Sequence, residues 1–314
     1  MTAIAYLIAI VSGIAATSQV SFNNGIRRSL RSPFTTAAVN FVTAFGIMLA
    51  ARLITEGNLA LPLSEITKYP PWIWTGGMCG VVIVMAGIYC LPVLGSANSM
   101  MLMCFGQIMT GLLIDHFGLF SAPVSRMTAV RFAGALLEIA GIVLISMGKG
   151  GPAAAKKGGR VLPFVILDVL AGAAGAMQVA INGTMTVAAG SALRSTFVSM
   201  TGALITTTVI ISLIRAVKGR TALYDDETPP EGPVKFRLFF LTGGLAALTV
   251  VGGNAFTGPV LGTGAVTIMN LFGMMASGLV IDAVGFMGIE KKPVTAAKIA
   301  GMALMLAGTA MISL

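Results

Sequence analysis

The sequence predicts an all-α integral membrane protein of ten transmembrane helices, built as two inverted five-helix repeats. Composition, the spacing of apolar runs and an internal repeat carry that reading. Of 314 residues, 56% are hydrophobic and only 10% are charged, whereas a soluble domain carries about a quarter charged residues. The 39 glycines suit membrane helices that approach one another through small residues.

A helix needs about 20 apolar residues to cross about 30 Å of hydrocarbon. Ten runs bounded by charge, proline or glycine meet this condition: 2–22, 33–54, 71–91, 94–114, 126–147, 161–182, 192–214, 236–257, 261–281 and 294–313. The hydrophilic loops Thr55–Pro70 and Lys218–Pro233 are too short to be soluble domains. Met1 leads into apolar sequence with no Lys or Arg, so the first run reads as a retained helix rather than a cleaved signal.

The net charge of +9 lies almost wholly in the gaps between these runs, which is orientation signalling; no nucleic-acid partner is expected. Alternate connections fall on opposite sides. One side receives Arg52, Lys68, Arg126, Arg131 and Arg194. The other receives Arg27, Arg28, Arg31, Lys149, Lys156, Lys157, Arg160, Arg215, Lys218, Arg220, Lys235, Arg237, Lys291, Lys292 and Lys298, which is 15 against 5. The richer side is expected to be cytoplasmic, leaving both termini non-cytoplasmic. Cys79, Cys90 and Cys104 fall inside apolar runs, with no CxxC and one histidine, so buried inert thiols are expected, without metal or cofactor.

Self-comparison shows the repeat. At an offset of 159, Gly13, Gln19 and Asn23 fall on Gly172, Gln178 and Asn182. From the third run the offset is 167 without a gap: Thr75-Gly76-Gly77 falls on Thr242-Gly243-Gly244, and Pro92-Val93-Leu94-Gly95 on Pro259-Val260-Leu261-Gly262. Gly106, Gly111, Asp115, Gly118, Gly134 and Gly141 fall on Gly273, Gly278, Asp282, Gly285, Gly301 and Gly308. Five is odd, so the second copy (161–314) enters the membrane from the side opposite to the first (1–148). Residues 149–160 form a basic cytoplasmic linker. Inverted repeats of this kind characterise secondary transporters, whose substrates bind near the midplane.

The Gly-x5-Gln-x3-Asn pattern opening each half, and the run Gly106, Gln107, Gly111, Asp115, His116, Phe117 and Gly118, resemble the YdcZ-like branch of the drug/metabolite transporter superfamily. Members are often about half this length, so the chain is similar to two of them fused. Met274 replaces Gln107 in the second half, and Ala283-Val284 replaces His116-Phe117. The resemblance implies a multi-pass transporter of the bacterial inner membrane.

Several polar residues stand out within the runs. Ser12, Ala16, Gln19 and Asn23 form one helical stripe, and Asp168, Ala171, Gly175, Gln178 and Asn182 form its counterpart. The amides either line a solute cavity or bond neighbouring helices. Asn98, Gln107, Asn254 and Asn270 are further candidate liners. Ionisable groups deep in a bilayer cost about 3 kcal/mol or more on insertion scales. Two acids qualify as coupling sites. Glu138 is mid-span in the fifth run, opposite Met305; Asp168 is near the start of the sixth, opposite Ala9. A neutral carboxyl in a packed interface is the competing reading for Glu138, and a solvated helix start for Asp168. Asp115 with Arg131, and Asp282 with Lys298, recur 16 residues apart in both halves and read as interfacial ion pairs. His116 reads as a loop residue beside the first pair.

The expected function is secondary transport of a small polar organic solute by alternating access, coupled to protons through an embedded acid, by a monomer or weak homodimer in the lipid bilayer. A passive channel or a non-transporting scaffold is the alternative. No Walker-type Gly-x4-Gly-Lys-Ser/Thr is present, and one histidine with no clustered nucleophile and base argues against an enzyme.

Overall fold

The computed structural model of the chain describes residues 2–122, 124–147, 161–224, 238–261, 263–286, 291 and 293–312. The linker 149–160 and the cations Lys149, Lys156, Lys157, Arg160, Lys235, Arg237 and Lys292 lie outside the described residues. Long helices occupy the ten expected segments: α1 (Thr2–Leu30), α2 (Pro33–Glu56), α3 (Gly76–Leu94), α4 (Ser96–Phe117), α5 (Ala129–Met147), α6 (Leu162–Ala189), α7 (Ala192–Lys218), α8 (Thr242–Leu261), α9 (Thr263–Val284) and α10 (Ala296–Ile312). Six among the described residues are long and apolar enough to cross a bilayer: most of α1 and α4, and the whole of α2, α3, α6 and α7. Their outer faces carry Leu7, Ile54, Leu162 and Val187, each at least 62% exposed, an apolar girdle suited to lipid.

The repeat is visible in the backbone. Ser32 caps α2 by accepting from the Thr35 amide at 3.0 Å, and Ser191, its counterpart 159 residues on, caps α7 by accepting from Leu193 at 3.2 Å. Just before these caps, α1 and α6 end at Arg31 and Gly190, with φ of 53° and 69°. Arg31 thus holds a left-handed turn that glycine fills in the second half. Gly118 and Gly285, 167 apart, end α4 and α9 in the same conformation.

Most helices run a few residues past their expected ends, and α1 and α6 run furthest. The apolar run of α1 stops at residue 22, yet the helix continues to Leu30 because Asn23 and Asn24 are buried against neighbouring helices. Likewise α6 carries Asn182 in its interior and continues to Ala189. His116, expected in a loop, lies in the last turn of α4, where its Nδ1 accepts from the Met127 amide at 3.0 Å.

The packing of the halves is reciprocal. α1 makes its main contacts with α8 and α9 of the second half, while α6 makes its main contacts with α3 and α4 of the first. The opening helix of each half is thus lodged in the other. α2 faces α7, α4 faces α9 and α5 faces α10, each element meeting its own counterpart. Glycines permit close crossings throughout, α5–α10 among them. A Cβ on Gly134 or Gly308 would stand 2.6 Å from the carbonyl oxygen of the other, and one on Gly141 would stand 2.6 Å from that of Gly301.

Candidate functional site

Asn23 of α1 and both Gln178 and Asn182 of α6 lie at the seam where the opening helices meet the opposite half. On α6, Gln178 Nε2 donates to the Gly76 carbonyl at 3.0 Å, and Asn182 Nδ2 donates to Ser199 Oγ at 3.2 Å. Ser195 Oγ donates to the Asn182 carbonyl at 2.8 Å. A Cβ at Gly76 would collide with Asn182 Oδ1 and force that amide to move.

On α1, Asn23 meets the equivalent glycine, Gly243, more loosely. A Cβ there would stand 3.4 Å from Asn23 Oδ1 and 3.3 Å from Asn40 Oδ1, at or just inside ordinary contact and far from the collision at Gly76. Asn40, the counterpart of Ser199, was not distinguished by sequence. Asn23 and Asn40 are each 1% exposed, and Asn23 Oδ1 and both Asn40 amide atoms have no hydrogen-bond partner. Gln19 is half-buried on the same helix. Two equivalent polar clusters therefore differ: α3, α6 and α7 are laced by hydrogen bonds, and the matching groups of α8, α1 and α2 are not.

The remaining candidate liners are dispersed. Asn98 Nδ2 donates to the Leu94 carbonyl at the end of α3, 3.1 Å away. Gln107 is half-buried, with Oε1 3.5 Å from where a Cβ on Gly175 of α6 would stand. Asn270 Nδ2 donates to Asn254 Oδ1 at 2.7 Å, bridging α9 to α8.

Both embedded acids are fully buried. Glu138 lies in the glycine-packed α5–α10 pair, where the Thr309 hydroxyl meets its Oε1 and also lies 2.8 Å from the Met305 carbonyl; Oε2 has no partner. Asp168 is buried rather than solvated at its helix start. It faces Ser99 of α4 and Cys90 of α3, but neither carboxylate oxygen has a donor in hydrogen-bond geometry. Cys79, Cys90 and Cys104 are free and buried.

Arg131 Nη1 stands 3.8 Å from Asp115 Oδ2, and Lys298 Nζ 3.6 Å from Asp282 Oδ2. Asp282 also accepts from the Ser96 amide at 3.1 Å, tying α9 to α4. A third cluster was missed by the sequence reading, which treated Arg52 and Arg194 only as orientation charges. Arg52, 0% exposed, reaches Glu56 Oε2 at 2.7 Å and the Leu59 and Ala60 carbonyls at 3.3 and 2.9 Å. Arg194 Nε approaches the same carboxylate at 3.2 Å and so joins α7 to α2. The spacing of Arg52 and Glu56, one helical turn, was the available signal.

Apolar helices, reciprocal halves and a polar seam define a helical membrane transporter. The chain belongs to the YdcZ family of the drug/metabolite transporter superfamily: the model of the family described as "Putative inner membrane exporter, YdcZ" matches residues 4–144 and again residues 163–311. No curated protein matches the sequence. A solved structure described as "Crystal structure of protein" aligns over 99% of this chain and 96% of its own, with a TM-score of 0.59 and 18% identity. That likeness shows the fold alone.

Proposed function

We propose that all ten long helices cross the inner membrane, with both termini non-cytoplasmic, and that the two inverted halves carry a small polar organic solute by alternating access. The observation that carries this reading is the reciprocal lodging of α1 and α6, with Asn23 of α1 set against Gly243 of α8, and Gln178 and Asn182 of α6 set against Gly76 of α3. A rocking motion of one half against the other would work on both stripes at once. Gln19, Asn23, Gln178 and Asn182 are the main solute contacts, with Asn98 and Gln107 as secondary ones. Export is the direction that the family description supports. Coupling to protons runs through an embedded acid, Glu138 or Asp168, because neither has a cationic partner among the described residues and a buried carboxyl without one carries a proton or pays a large desolvation cost.

The test is flux into proteoliposomes of purified protein across labelled amino acids, sugars, nucleobases and amines, with and without a pH gradient. The proposal expects at least one solute to move saturably and to accumulate when a pH gradient is imposed. Flux that never saturates would favour a channel, and no flux above protein-free vesicles across the panel would sink the transporter reading.

A further inference from the structure

We infer that Asp168, together with Ser99 and Cys90, is the proton-carrying site of the cycle, an inference that rests on the transporter reading above and assigns the coupling role between the two acids. Three helices bring the groups together: Cys90 comes from the last turns of α3, Ser99 from the first turn of α4, and Asp168 from the second turn of α6. All three residues are 0% exposed. Both Asp168 oxygens and the Ser99 hydroxyl have no hydrogen-bond partner, while the Cys90 thiol is occupied by the Phe164 carbonyl at 3.4 Å.

Among the described residues, no cation forms an ion pair with the carboxyl. α3 presents Cys90 and α4 presents Ser99. Arg215 and Lys218 of α7 are exposed near that helix's end, and α8 contains no charged residue. The short helix Leu63–Ile66, which carries Glu65, and the turns at Pro71–Trp74 and Leu119–Ser121 meet α6 at its far end, around Met185 and Thr184. A dry carboxylate in this position has nothing to balance it, so the closed arrangement holds the neutral acid. When water reaches the seam, the O–H bond breaks, the proton passes to water and the carboxylate remains until a proton arrives from the other side.

The contrast with Glu138 decides the assignment. Both acids lie beside glycine-mediated crossings, α5–α10 for Glu138 and α4–α6 for Asp168, but Glu138 has Thr309 against one oxygen whereas neither Asp168 oxygen has a partner. Asp168 continues the face of α6 that carries Gln178 and Asn182, ten residues or about 15 Å from Gln178 along a single helix. A change in its charge therefore acts on the element that holds the amide stripe. The counterparts of Asp168, Ser99 and Cys90 in the other half are Ala9, Val266 and Thr257, so the site occurs once and carries one proton per cycle.

The experiment is pH-difference infrared spectroscopy of the full-length protein in proteoliposomes, reading the carbonyl stretch of neutral carboxyl groups. A band that appears and disappears with bulk pH is expected; it should vanish in Asp168→Asn, survive in Glu138→Gln and shift in Ser99→Ala. A titrating band that persists in Asp168→Asn, or the absence of any titrating band in the parent protein, overturns the inference. Should Asp168→Asn fail to fold, a band unmoved by Ser99→Ala overturns it equally. A transporter that moves solute with no Asp168 band would refute this site alone, whereas a titrating band with no flux across the solute panel would refute the transport reading.

Discussion

Replacing Gly308 by alanine puts the α5–α10 crossing under a defined strain. The new Cβ would stand 2.6 Å from the Gly134 carbonyl oxygen, 3.0 Å from the Glu138 amide and 3.1 Å from Glu138 Cγ. Ordinary contact begins near 3.4 Å, so the helices must part by about 0.8 Å, the difference between 3.4 and 2.6. The obstructing atom is backbone and cannot rotate away. Overpacking of this kind costs about 1–3 kcal/mol, and the helix propensity of alanine returns at most about 1 kcal/mol. The separation also pulls Thr309 away from Glu138. The control is Gly183→Ala, because a Cβ on that helical glycine meets nothing within 4 Å. Thermal unfolding in detergent should show Gly308→Ala melting several degrees below the parent, and Gly183→Ala melting at or slightly above it. Equal melting temperatures for the two variants would refute the close crossing.

The equivalent amides should respond differently to truncation. Asn182→Ala removes a hydrogen bond to Ser199 and should cost about 1 kcal/mol. Asn23→Ala deletes an oxygen that already lacks a partner and should be close to neutral, so a larger loss at Asn23, seen by thermal unfolding, would contradict the asymmetry. Arg52→Met leaves Glu56 facing only Arg194 and frees the Leu59 and Ala60 carbonyls; a destabilisation of about 3 kcal/mol is expected from breaking a largely buried pair, checked by the same assay. A reporter active only outside the cytoplasm, fused after Leu314, should be active; activity confined to a cytoplasmic reporter would reverse the topology.

The apolar runs announced where the helices lie because burial against lipid and burial against protein demand the same side chains over the same length. Helix ends were less legible. Asn23 and Asn182 look like termination when read for hydropathy, but each is sheltered by the opposite half, a tertiary fact that no local window contains. The repeat register at Gly76 and Gly243 marked the right glycines without revealing that an amide presses on each. Asn40 escaped notice because its counterpart is Ser199, so the self-comparison offered no match there. Asp168 was readable as an embedded acid, yet Ser99 and Cys90, which face it, come from distant sequence and carry no motif. The role of Arg52 was hidden by the positive-inside rule, which counts a cation without asking whether it is buried.

The account turns on two stripes that face one pathway and open to opposite sides in turn. Cysteines placed singly at Gln19 and Gln178 can be probed with a membrane-impermeant thiol reagent in right-side-out and inside-out vesicles; Cys79, Cys90 and Cys104 are buried and contribute little background. The account predicts that both positions react, and that any treatment raising reactivity from one side lowers it from the other. Positions that never react, or that react from both sides at once with no reciprocal change, would contradict alternating access through this seam.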